Sequence, residues 1–171
     1  MRKTAFTLIE LIISIVILSI LMLFLYKSYA GLNKSNMIFS EEVEKITKGQ
    51  LLKKTIYLDF SSAISKSVSI LDQNQREDIV FLQTTNSVHK RINPYVAYIV
   101  NDKILYRLES LKPFKEYPLG ADSEFVSDKL GEVKSFRVYA SKAENQELYL
   151  VHIIFTKRDE ILLKLNVLNS L

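Results

Sequence analysis

The sequence contains no cysteine, so disulfide staples, thiol nucleophiles and cysteine-based metal sites are excluded. Histidine is scarce: His89 and His152 are the only two, and neither has the acidic or cysteine spacing of a metal site. There is no nucleophile elbow and no Gly-rich phosphate loop, hence no recognisable catalytic constellation and no nucleotide motif. Lysine and arginine outnumber the acids, 23 to 19, but form no dense basic stripe interleaved with aromatics, which argues against direct nucleic-acid binding. Internal repeats and low-complexity stretches are absent. Proline is missing from the first 71 residues, so nothing there forbids a long helix.

The 171 residues suffice for one ordinary domain and a long appendage. The hydrophobic fraction is 48%, and the excess is concentrated before Lys27. From Phe6 to Leu25 an apolar run is interrupted only by Thr7, Glu10, Ser14 and Ser19. Roughly 20 residues at about 1.5 Å each just span a bilayer core. Arg2 and Lys3 precede the run and Lys27 follows it, so the positive-inside rule places Met1 in the cytoplasm and the bulk of the chain outside. Lys27 reads as an interfacial anchor, with Tyr26 and Tyr29 as belt aromatics. Cleavage after Ala30, as in an ordinary secretory signal, is an alternative; the length of the run and its helical continuation stand against it.

Beyond the span, Phe39, Val43, Ile46, Leu52, Ile56, Phe60, Ala63 and Ile64 recur at helical spacings among Glu41, Glu42, Glu44, Lys45, Lys48, Lys53 and Lys54. An amphipathic continuation of the helix is expected to about Leu71, weakened by about 1 kcal/mol at Gly31 and at Gly49. After the polar turn Asp72-Gln73-Asn74-Gln75, short apolar runs read as strands: Ile79–Thr84, Tyr95–Val100, Ile104–Glu109, Ser135–Ala140, Leu148–Thr156 and Ile161–Leu168. Turns at Asn101-Asp102-Lys103 and at Lys157–Glu160 make two hairpins, and hence a mainly antiparallel sheet. Leu111–Gly131 reads as a surface connection with a short helix near Glu124. The expected class is α+β, a long N-terminal helix whose extracytoplasmic half packs on the sheet.

Glu10 is the informative residue. A carboxylate inside the apolar span costs about 2.5–3.5 kcal/mol on insertion scales, so it calls for a partner. A cut between Ala5 and Phe6 would create an amino group one helical turn before Glu10. The whole apolar helix would stay on the mature chain, and Glu10 of one subunit could neutralise the Phe6 amine of its neighbour, choosing the axial register of otherwise featureless helices.

At Ala5-Phe6-Thr7-Leu8-Ile9-Glu10 the chain resembles the type IV prepilin and pseudopilin superfamily, whose processing site is followed by Phe-Thr-Leu-Ile-Glu or a close variant. The resemblance covers Arg2 to Tyr29. It implies a basic leader, cleavage by prepilin peptidase, N-methylation of Phe6 and an assembly role for Glu10. The chain departs from the family at Ala5, where glycine is usual. A weaker resemblance, through Leu51-Leu52, Tyr57–Ile64, Val80–Thr84, Tyr95–Tyr98 and Leu105–Leu108, is to the J-type minor pseudopilins of type II secretion; some minor pilins of type IV pili share the layout.

The resemblance implies a pilin-like, non-enzymatic subunit of a filament tip or initiation complex, without cofactor. Its partners are other pilins or pseudopilins, the prepilin peptidase, an inner-membrane assembly platform and the membrane itself. The expected divisions are a leader (1–5), a transmembrane assembly helix (6–26), its amphipathic continuation (27–71) and a β-rich periplasmic head (72–171). The alternatives are a minor pilin serving adhesion, motility or DNA uptake, and an uncut membrane-anchored sensor or binding protein. Asp122, Glu124 and Asp128 have oxygen ligands for calcium but no recognised spacing, and read as a solvated loop. The serines of Ser61-Ser62 and Ser65–Ser69 read as polar positions on and after the helix. Tyr95, Tyr98, Tyr106, Tyr139 and Tyr149 fit either a partner surface or, as strand aromatics, the core.

Overall fold

The computed structural model describes residues 7–64, 66–114, 116–120, 124–143 and 146–167. One helix, α1 (Leu8–Ser61), is followed by seven strands: β1 (Ser69–Asn74), β2 (Glu77–Gln83), β3 (Tyr95–Asn101), β4 (Ile104–Ser110), β5 (Val126–Ala143), β6 (Gln146–Phe155) and β7 (Ile161–Asn166). The chain falls into two compact units, Met1–Lys48 and Gly49–Leu171.

In the first unit, α1 is long and apolar enough to cross a membrane, and every described residue up to Lys48 is exposed. Ser14 and Ser19 turn their hydroxyls onto the carbonyls of Glu10 and Ile15, both at 2.8 Å, which removes two unsatisfied donors from the apolar stretch. At 100° per residue, Leu32, Phe39, Val43 and Ile46 fall within an arc of about 60°, with Glu42 at its border, while Lys34, Glu41, Glu44, Lys45 and Lys48 occupy the other side.

In the second unit, Leu52, Ile56 and Phe60, four residues apart, are buried against the sheet. Each contributes about 1.5–3 kcal/mol relative to exposure. Phe39, Val43 and Ile46 are exposed, and burial begins at Leu52. The helix ends ten residues before Leu71, at Ser61. Ala63 donates to the Phe60 carbonyl three residues back, and Ile64 then donates to Gln83 in β2. Serines that compete for the backbone, with Val68 and Ile70 alternating between Ser67 and Ser69, favour a strand there, and β1 occupies the end of the expected helix.

The sheet runs β1 to β7 in chain order, each strand antiparallel to the next. Asp102 and Lys103, with φ of 49° and 62°, make the tight turn between β3 and β4. The 18-residue β5 serves two neighbours, with its first part on β4 and the rest on β6, and a Glu77–Phe136 pairing brings β2 against it. It turns at Gly131, whose φ of 146° suits only glycine and where an added Cβ would lie 3.2 Å from the Phe155 ring. The expected surface connection is thus cut short: Val126–Gly131 are strand, and Glu124 and Phe125 precede it without helix. An acid, Asp128, stands at an inward position and hides the alternation from a hydropathy reading.

The main core lies between α1 and the inner sheet face, with Val80, Leu82, Val96, Tyr98, Phe136, Val151 and Ile153 at its centre. On the outer face a second cluster of Ile79, Phe81, Ala97, Ile99 and Leu108 is covered by Phe114, Tyr117 and Leu119 of the β4–β5 connection. Phe114 stacks on Phe81 with centroids 5.8 Å apart.

Candidate functional site

The start of α1 is held by a reciprocal pair. Thr7 stands just before the first helical residue, and both its backbone N–H and its hydroxyl donate to Glu10 Oε2 at 2.9 Å. The Glu10 N–H donates back to the Thr7 hydroxyl at 3.4 Å. This is a capping box, which satisfies donors that a helix start leaves free. Thr-x-x-Glu is its sequence signature, and Thr7 is the functional residue the sequence reading passed over. Glu10 therefore has a local task, holding a carboxylate over the positive end of the helix. Ala5 and Phe6 lie outside the described residues.

At the other end of α1, Asp59 is fully buried and receives four hydrogen bonds. Arg107 of β4 donates through Nε (2.7 Å) and Nη2 (3.2 Å), the Tyr98 hydroxyl at 2.6 Å and Asn86 Nδ2 at 2.7 Å. Arg107 Nη1 reaches Glu109 at 2.7 Å and Asp128 at 3.6 Å. Glu109 also accepts from the Ser87 hydroxyl (2.6 Å) and from the backbone N–H groups of Val88 (3.1 Å) and His89 (3.4 Å). Tyr98 and Arg107 are cross-strand partners, so one helix turn, two strands and the 85–94 loop converge on one guanidinium. No buried side-chain polar atom among the described residues lacks a partner.

The electrostatics follow from that packing. Burial opposes the charge on Arg107, but hydrogen bonds and attraction from Asp59 outweigh it and hold the proton more firmly than on an ordinary arginine. Burial likewise pushes Glu109 up, and the donors Ser87, Arg107 and Val88 together bring it below its usual value. Burial, then the neighbouring Asp59 charge, raise the Tyr98 phenol. All three groups keep their ordinary neutral-pH forms, which suits a clamp joining helix to sheet rather than proton transfer.

Residues 1–26 match the prokaryotic N-terminal methylation motif. This prepilin-type signal supports a pilin-like chain of the type IV pilin and pseudopilin superfamily, anchored in a membrane through its N-terminal helix. It implies processing by prepilin peptidase and assembly with other pilins. Comparison with curated proteins and with solved structures finds no match.

The remaining candidates separate in space. His89 Nε2 lies 2.9 Å from Asp128, and His152 lies 3.7 Å from Glu160. Glu124 lies 3.5 Å from Lys112 instead of beside Asp128, and Asp122 is outside the described residues. Ser67 bonds the backbone of Gln83 in both directions, while Ser65 is not among the described residues. Of the tyrosines, Tyr98 and Tyr149 are in the core, Tyr106 packs on the outer cluster, Tyr95 is half-buried and Tyr139 is exposed beneath Arg137.

Proposed function

We propose that this chain is a non-enzymatic structural subunit, a minor pseudopilin of a type II secretion-like filament, placed in its tip or initiation complex. The observation that carries the reading is a membrane-length helix, headed by the methylation motif and exposed over every described residue up to Lys48. Such a surface is stable only in lipid or against other helices. The resemblance of the 51–108 region to the J-type subunits supports the choice of filament.

In this reading the chain inserts with Met1 in the cytoplasm and the head on the periplasmic side of the inner membrane. Prepilin peptidase cuts between Ala5 and Phe6, and Phe6 is N-methylated. The helix stays in place while the new terminus gains a charge. Glu10 of one subunit then meets the Phe6 amine of the next, and the uncharged face of Leu32, Phe39, Val43 and Ile46 prolongs the helix contact beyond the membrane. Energy for growth comes from a separate ATPase on the cytoplasmic side.

The capping box permits a clean test. Glu10→Gln keeps a side chain that accepts from Thr7 but removes the charge, whereas Thr7→Val removes the hydroxyl half of the cap, at about 0.5–2 kcal/mol, and keeps the charge and the Thr7 N–H bond to it. Membrane insertion is expected to be unchanged in both. Incorporation into filaments, measured by shearing and immunoblotting, falls several-fold in Glu10→Gln and stays near wild type in Thr7→Val. The reverse order would reduce Glu10 to a helix cap.

A further inference from the structure

Strand β1 is the edge of the sheet and pairs, among the described residues, only with β2. Its cross-strand neighbours Ser69–Phe81 and Leu71–Ile79 place Ser69 and Leu71 on the outer face. Phe114, Tyr117 and Leu119 of the β4–β5 connection cover that face over β2 to β4, and among the described residues none of the connection packs over β1 beyond Phe114. This leaves a half-open cavity of about 280 Å³ between the Phe114 ring and the edge, lined by Ser69, Leu71, Phe81, Gln83, Tyr95 and Phe114. None of these carries a charge. Leu71 remains 41% exposed at its rim.

We propose that this edge and cavity form a strand-addition site for an extended, uncharged segment of another chain that carries one large apolar side chain. Two features select that occupant. The outer side of β1 presents a row of backbone N–H and C=O groups, a template for another strand. Every second side chain of an added strand would point to the cavity face, and the cavity has no charged group to orient a polar ligand. The length of the site is set by the ends of the free edge. Lys66, with φ of 61°, breaks the extended backbone before it, and the irregularity at Asp72–Asn74, with Asp72 bonded to Arg137, closes it. The segment recognised is therefore about four residues long, Val68 to Leu71 providing the template, because the Ser67 N–H is already bonded to the Ile64 carbonyl. This site is separate from helix assembly and stands or falls independently of it.

The test uses the full chain in detergent micelles and a fluorescein-labelled, capped Thr-Val-Phe-Val-Thr peptide, with versions carrying Leu or Asp at the centre. Saturable anisotropy changes are expected for the Phe and Leu peptides, with at least tenfold weaker binding for Asp. Leu71→Glu abolishes binding, while Leu162→Glu, a matched charge on the opposite edge strand, leaves it intact. In the unmutated chain, amides within Val68–Leu71 exchange more slowly when the Phe peptide is present. Equal binding of the Asp peptide, no saturable binding, or unchanged exchange at β1 would overturn the proposal. So would a concentration-dependent dimer lost in Leu71→Glu, which would assign the edge to a second copy.

Discussion

Asp59 and Arg107 are 48 residues apart in sequence and form a bidentate pair in the interior, with Tyr98, Asn86 and Glu109 completing the shell. Asp59→Ala removes the acceptor of four buried hydrogen bonds and strips Arg107 Nε and Nη2, the Tyr98 hydroxyl and Asn86 of their partner, although Glu109 still faces the guanidinium, so it is expected to destabilise the second unit by about 3–5 kcal/mol, measured by urea unfolding. Glu109 supplies a pH dependence of definite sign. Its folded pKa lies below the ordinary 4.5, so its stabilisation is complete above pH 4.5 and is lost as pH falls through the lower folded value. Asp78 works oppositely, since burial, partly offset by the Val138 N–H, raises it above 3.8 and the fold holds its proton more tightly. Glu109→Gln should therefore flatten the fall in urea midpoint below pH 4.5, leaving the opposing trend of Asp78; an unchanged acid slope would contradict this. None of the cluster was legible in the sequence, because the pairing exists only when the last turn of α1 meets β4. Glu10 was legible, because a lone carboxylate in an apolar span needs no fold to be anomalous.

Among the elements, the membrane-length part of α1 and the β3–β4 hairpin were readable, since a long apolar run and a polar two-residue turn between alternating strands are local signals. The end of α1, strand β1 and the first part of β5 were not. Apolar residues at helical spacing continue past Ser61, and the inward Asp128 breaks the expected alternation until Arg107 and His89 are seen beside it. Two substitutions test the backbone account. Gly131→Ala sets a Cβ 3.2 Å from the Phe155 ring at a φ only glycine accepts, and should lower stability by about 1–3 kcal/mol. Lys103→Gly relieves a positive φ in the hairpin turn and should raise the urea midpoint, by up to about 1 kcal/mol of stability. The opposite sign for either would refute the assigned turn geometry.

For the whole molecule, the two units divide the labour. The second unit buries its own core around Phe60, Tyr98 and Phe136, whereas the first unit buries none of its described side chains and depends on lipid or on other helices. The methylation motif at residues 1–26 links that exposed helix to a processing step, and the central claim is that the step creates the assembly-competent terminus. Its most direct test is the intact mass and N-terminal sequence of the protein from its native membrane, in cells with and without prepilin peptidase. The expected result is a chain beginning at N-methylated Phe6 when the peptidase is present and at the unprocessed terminus when it is absent. An intact Met1 terminus in peptidase-proficient cells would contradict it.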